Sequence, residues 1–289
     1  MLMALAMVLL FISGALCVAS LVVLAFLFKR KSLLHIWSDS PPMALLFLST
    51  CLTSIIYLVF SIQWILVSME VVENVPGNGV FLLLPGLGLV TSRTLYDSAH
   101  MGVYAQRIAV LKFPMRSTIM VNNIIVSGVI IVTIPPVLAL IYFHISTMPP
   151  TGNPIPTGCY AFNCLVSTAR SRRLCTVTVK LVFTGTVVVL GALFLFMLRK
   201  FKIRRSTAER RINQFAGYSF CLRLVFEMAP FIADFVLQET IRKDLGKFIG
   251  PYGAIGGSID FFACTLLYYV LSFMRRSSVT IVKSTNTHV

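Results

Sequence analysis

The chain has 289 residues, 57% of them hydrophobic and only 12% charged, with a mean hydropathy of +0.87 and a formal net charge of +15. Soluble domains carry about 25% charged residues, so about half the ordinary surface charge is missing and lipid must be the main solvent. This excludes a second soluble domain, and the long, unalternating apolar runs exclude a transmembrane β-barrel.

Seven apolar spans follow in chain order. The first covers about 1–28 and stops at Lys29-Arg30-Lys31. The second, 43–68, follows the turn signal Ser40-Pro41-Pro42, and the third, 79–105, is the most polar inside. Span four, 122–144, contains Pro135-Pro136, and span five covers 174–198. Span six, 213–237, holds Arg223, Glu227, Pro230 and Asp234; span seven, 249–274, holds Asp260. The expected fold is therefore all-α: one domain, 1–289, forming a seven-transmembrane helix bundle. The first span can alternatively be read as a signal peptide cleaved near Ala15 or Ala19, which would leave six. Against that reading, no basic region precedes it and it exceeds the usual length of a signal-peptide apolar core.

The loops set the direction. Lys29–Lys31, Arg107, Lys112, Arg116, the seven bases between Arg199 and Arg211, and Arg275, Arg276 and Lys283 give sixteen bases on one side. The other side has six: Arg170, Arg172, Arg173, Arg242, Lys243 and Lys247. The positive-inside rule then places the N-terminus outside and the C-terminus in the cytoplasm. The same arrangement argues against a nucleic-acid partner, because no basic run is interleaved with aromatics on a polar face. The inner bases also suit anionic lipid, at about 1 kcal/mol each.

Ionisable residues inside a span should face the bundle interior. Arg93, Asp97, His100, Tyr104 and Arg107 recur at helical spacing and form one polar stripe down span three. Arg93 with Asp97, Asp97 with His100, and Arg223 with Glu227 are candidate pairs. Asp234 lies two turns beyond Glu227, and Lys180 falls within span five. These residues are read either as neutralised pairs that fix helix contacts or as a polar ligand pocket and switch network.

Of seven cysteines, Cys17, Cys51, Cys221 and Cys264 fall within spans as small packing residues. Cys159, Cys164 and Cys175 cluster in the longest outer region, where an oxidising medium permits a Cys159–Cys164 loop, with Cys175 as competing partner and free thiols as the alternative. No glycosylation sequon is present. Enzyme signatures are missing: the four His are scattered, and no HExxH, CxxC or Walker loop occurs. Gly253-x-x-Gly256-Gly257 reads as a site of close helix approach. Span seven has no deep Lys for a retinal. No catalytic residue, metal or cofactor is expected.

Span three ends in Tyr104-Ala105-Gln106-Arg107-Ile108-Ala109-Val110-Leu111-Lys112-Phe113-Pro114. This resembles the Asp/Glu-Arg-aromatic end of helix three in rhodopsin-like G-protein-coupled receptors. It is most similar to the nematode serpentine chemoreceptors, where Arg followed by Ala-Val and Phe-Pro is common; the subfamily stays open, with class BC as one guess. Gln106 stands where the acid would be, so the neighbouring-carboxylate restraint on Arg107 is expected to be lost. Ile108 replaces the aromatic, no Cys lies between Glu70 and Leu84, and no Asn-Pro precedes Tyr268-Tyr269. The resemblance implies a chemosensory receptor of the plasma membrane, with the sensory cilium as one location. It would bind a small odorant-like ligand and activate a heterotrimeric G protein. Arg93, Asp97, Lys180, Asp234 and Asp260 are the candidate ligand residues, with His100, Tyr104, Arg223 and Glu227 as the intramembrane network. Arg107, Arg204, Arg205, Arg210 and Arg211 are the candidate coupling residues. A transporter or channel subunit lined by the charge pairs is the alternative, although no inverted repeat is visible.

Overall fold

The structure is a computed structural model; it describes residues 2–72, 79–113, 118–147, 162, 166, 169–200, 207–241 and 252–274. The helices are α1 (Leu2–Arg30), α2 (Leu33–Asp39), α3 (Pro41–Ser68), α4 (Gly79–Lys112), α5 (Thr118–Ser146), α6 (Arg170–Lys200), α7 (Thr207–Arg223), α8 (Ala229–Ile241) and α9 (Tyr252–Tyr269). A π-helical turn, Leu224–Met228, joins α7 to α8, and another, Val270–Met274, extends α9. No strand occurs among the described residues.

Five of these helices are long and apolar enough to cross a membrane: Met3–Arg30, Pro41–Ser68, Ile119–Ser146, Arg170–Lys200 and Gly253–Phe273. By length and composition the chain is a multi-pass membrane protein. Its outer surface agrees, since α5 alone exposes Ile119, Ile124, Ile131, Leu138 and Tyr142. Such a continuous apolar surface is unusual on a soluble monomer. The helix α4 and the α7–α8 run, which contain the internal charges, are not among these five.

The turn signal Ser40-Pro41-Pro42 does not precede the second span by a loop. Both prolines sit in the first turn of α3, where a missing N–H costs nothing. The intervening α2 is a short helix that the apolar pattern does not show. Ser32 starts it, its hydroxyl accepting from His35 N–H at 3.3 Å. At the far end of α3, Glu70 adopts φ 59°, while Val71 N–H bonds to Leu66 O and Glu70 N–H to Val67 O. That is a Schellman ending with a charged residue in the position glycine favours.

The bundle closes as a ring with α4 at its centre. Helix α1 packs on α3 and α9, and α4 packs on α3, α5, α6 and α7. Helix α1 is bonded into this assembly: Ser13 Oγ donates to Ala254 O at 3.2 Å, Ser20 and Thr265 hydroxyls lie 3.4 Å apart, and Cys17 is fully buried.

One close approach decides where α9 sits. Pro230 has no N–H for the carbonyl four residues back, which is that of Phe226. That oxygen faces Gly256, where an added Cβ would lie only 2.1 Å away. At Gly257 a Cβ would meet Tyr57 Oη at 3.0 Å and Arg93 Nη2 at 3.2 Å; at Gly253 nothing lies within 4 Å. The expected glycine contact is therefore made by Gly256 and Gly257. Gly256→Ala should destabilise the purified protein by about 1–3 kcal/mol, the usual cost of overpacking. Gly253→Ala should be neutral or slightly stabilising. Equal melting temperatures for the two variants would refute the close approach.

Candidate functional site

A polar stripe on one helix needs partners from others, and three helices supply them. From α4 come Arg93, Tyr96, Asp97 and His100; from α7 and its π-turn come Ser219, Arg223 and Glu227; from α9 come Asp260 and Cys264. The π-turn contains Glu227, one turn after Arg223, so both reach the same interior face.

Arg223 is the hub. It is 1% exposed, and its Nη2 donates to Asp97 Oδ1 and, at 3.0 Å, to Glu227 Oε2. Its Nε lies 3.5 Å from Asp260 Oδ2, and its guanidinium stands 4.9 Å from the Tyr96 ring centroid. Asp260 is further held by Tyr96 Oη, which donates to Oδ2 at 2.9 Å. The candidate pair Arg223–Glu227 is thus present.

The candidate pair Arg93–Asp97 is replaced by a cross-helix exchange. Arg93 Nη2 donates to Glu227 Oε1, and Nη1 reaches Tyr57 Oη at 3.2 Å and Gly253 O at 3.4 Å. Asp97 turns to Arg223 instead. Residues four apart on α4 lie on one face, but each finds a better partner across the bundle, where the opposite charge arrives already desolvated. The Asp97–His100 pair is also not formed. Both ring nitrogens of His100 are buried without a hydrogen-bond partner among the described residues. His100 instead packs against Tyr96, with ring centroids 4.6 Å apart, and Tyr104, at 5.9 Å.

The ligand candidates divide into two groups. Asp97 and Asp260 lie inside the closed network. Arg93 is its most open member, with a side-chain exposure of 16% against 9% or less for the acids and Arg223. Beside it, the half-buried Lys180 on α6 places Nζ 4.2 Å from the Phe231 ring centroid and senses the charges of Arg93, Glu227, Asp97 and Asp234. Asp234 is buried on α8. Phe162, from the segment between α5 and α6, inserts against Phe60 and stacks over His144. Its seat exists because residue 86 is glycine; a Cβ there would lie 2.0 Å from the ring.

The far end of α4 corrects another expectation. Gln106 does restrain Arg107: its Oε1 accepts from Arg107 Nη2 at 2.8 Å and from Ser40 Oγ at 2.6 Å, and its Nε2 donates to Asn122 at 2.7 Å. A neutral amide does the tethering expected of a carboxylate. Arg107 is buried and senses the charge of Glu209 on the first turn of α7. Arg210 is exposed and Arg211 half-exposed; Arg204 and Arg205 lie outside the described residues. So do Cys159 and Cys164, while Cys175 is a free, half-buried thiol.

Tyr57, Tyr96, Ser219 and Phe162 were not singled out in the sequence. Only Tyr96 had a signal, three residues from Arg93 and four from His100 on the same stripe. His100, Asp260 and Cys264, scattered along the sequence, gather in space.

The exchange of partners is testable by double-mutant cycles. Asp97→Asn with Arg223→Gln should show a coupling energy at least about 1 kcal/mol larger than Asp97→Asn with Arg93→Gln, since contacting residues couple by about 0.5–3 kcal/mol. Thermal unfolding in detergent measures both, and equal couplings would contradict the cross-helix pairing. No protein-family model matches this chain, and no curated protein matches it in sequence.

Proposed function

We propose that the chain is a chemosensory receptor of the plasma membrane, seated in a sensory cilium, that binds a small external ligand and activates a heterotrimeric G protein. In this reading α4 and the α7–α8 run also cross the bilayer. Their charges cost little there because they neutralise one another in the interior, and with the five apolar helices they make seven crossings. The sixteen-to-six split of bases supports an external N-terminus.

The observation that carries the reading is the Arg223 network, which joins α4, α7 and α9 through four charged contacts. A ligand that meets Arg93 and Lys180 competes with Glu227 for Arg93, and so favours one arrangement of these helices over another. Differential affinity for two arrangements is all that switching requires. About 21 Å further along α4, at 1.5 Å per residue, Arg107 sits beside Gln106 and Glu209, near the exposed Arg210 and half-exposed Arg211 in the first turns of α7. That end is assigned to G-protein coupling.

The test is expression in reporter cells screened with volatile and soluble odorants, with membrane current recorded in parallel. A responding ligand should activate G protein in wild type. Arg107→Ala should reduce that response below about a tenth, within the usual range of allosteric coupling, while surface expression persists. Undiminished signalling by Arg107→Ala would remove the coupling site from α4. Ligand-gated current without a G protein would favour a channel or transporter instead.

A further inference from the structure

His100, Asp260 and Cys264 converge beneath the ion network. Asp260 and Cys264 stand four residues apart on α9, one turn, so they share a face; His100 meets them from α4. One donor atom from each lies within 4.8 Å of the other two, and all three residues are buried. His100 is 0% exposed, and neither of its ring nitrogens has a hydrogen-bond partner among the described residues. Leaving such a buried group unsatisfied is ordinarily costly.

The carboxylate is divided between two tasks. Asp260 Oδ2 is committed to Tyr96 Oη and Arg223, whereas Oδ1 faces Cys264 Sγ at 3.6 Å. Ser219 Oγ, from α7, stands 3.3 Å from the same sulfur. We propose that His100, Asp260 Oδ1 and Cys264 bind a zinc ion, with the Ser219 hydroxyl as fourth ligand, and so staple α4, α7 and α9 together.

Distances and donor types select this metal. Zinc bonds of about 2.0–2.3 Å to N, O and S give tetrahedral edges of about 3.3–3.8 Å. The two distances from Cys264 Sγ already fall in that range, and the His100, Asp260 and Cys264 donors all lie within 4.8 Å of one another. Magnesium and calcium demand oxygen ligands throughout, whereas a mixed N, O and S set suits zinc.

Charge agrees. With Lys180 and Asp234 beside the network, four carboxylates (Asp97, Glu227, Asp234 and Asp260) meet three bases (Arg93, Lys180 and Arg223), leaving one negative charge in excess. On binding, the Cys264 S–H bond breaks, a sulfur–zinc bond forms and the proton leaves to solvent; nothing is oxidised or reduced. The ion brings two positive charges and the thiolate one negative, so the filled network is neutral.

The full-length, tag-free protein in nanodiscs, stripped with a chelator, provides the test. It is titrated with zinc, with bound metal counted by atomic emission, and with cobalt(II), followed in the near ultraviolet. The expected result is one saturable zinc per chain that raises the melting temperature. Cobalt should give a thiolate-to-metal charge-transfer band that zinc abolishes. Cys264→Ser and His100→Gln should weaken zinc by more than about tenfold, a loss that removal of supporting partners alone can cause. Cys17→Ser, a buried cysteine on α1, should change neither reading. No saturable zinc in wild type, no charge-transfer band, or a band that survives Cys264→Ser would overturn the site. The band is read on wild type, so a Cys264→Ser chain that fails to fold leaves the test intact.

Discussion

Everything in the interior is arranged around one guanidinium that cannot be left alone. Arg223 is buried among helices, where an unpaired charge costs several kcal/mol. Three carboxylates from three elements answer it: Asp97 on α4, Glu227 on the π-turn and Asp260 on α9. Those three in turn overbalance it, and Arg93 enters to take the second oxygen of Glu227. Each partner resists rotation of its own helix about its axis, because turning would pull its charge away from Arg223.

The backbone makes room for this arrangement by departing from regular helix where it matters. Between α7 and α8 the chain takes one π-helical turn, and Glu227 lies within it. Pro230 follows one residue later, after Ala229, and withholds the N–H that would have bonded Phe226 O in a regular helix. The Phe226 carbonyl then meets α9 at Gly256, the one residue whose lack of a side chain lets it come so near. Removing the π-turn, the proline or the glycine would each alter the distance between Glu227 and Asp260. Local irregularity and the glycine pair are therefore parts of the same device that seats the charges, as π-turns at functional sites commonly are.

The sequence made some of this legible and hid the rest for a physical reason. Spacing along one helix reveals which residues share a face, and so the stripe from Arg93 to Arg107 and the pair Arg223–Glu227 could be read directly. Spacing is silent about which helix faces which. It therefore suggested Arg93 with Asp97, the nearest opposite charge in sequence, where the fold exchanges both partners across the bundle. The gathering of His100 with Asp260 and Cys264 was hidden in the same way, since 160 residues separate α4 from α9 at that point. Gln106 failed differently. Its amide was judged by the charge it lacks, yet an amide offers both donor and acceptor, and it uses them on Asn122, Ser40 and Arg107. The apolar pattern also underestimated helix ends, because α4 runs on to Lys112 through polar residues that only partners on α3, α5 and α7 make affordable.

The proposed receptor and the proposed zinc site meet on the same three helices, and they constrain each other. Without the metal the network holds one negative charge too many, and Arg93 is drawn firmly to Glu227. With the metal in place, Asp260 and Cys264 are occupied and the network is neutral, so Arg93 is held less strongly by the surplus charge and is freer to meet a ligand beside Lys180. The ion would then act at the ligand end without touching the ligand, through the charge shared by Arg223. Linkage makes this reciprocal: a ligand that draws Arg93 away from Glu227 leaves the network more negative and should hold zinc more tightly. A bundle whose helices are tied by charge rather than by close packing alone is suited to such coupling, because each exchange of partner is a discrete rearrangement of helices.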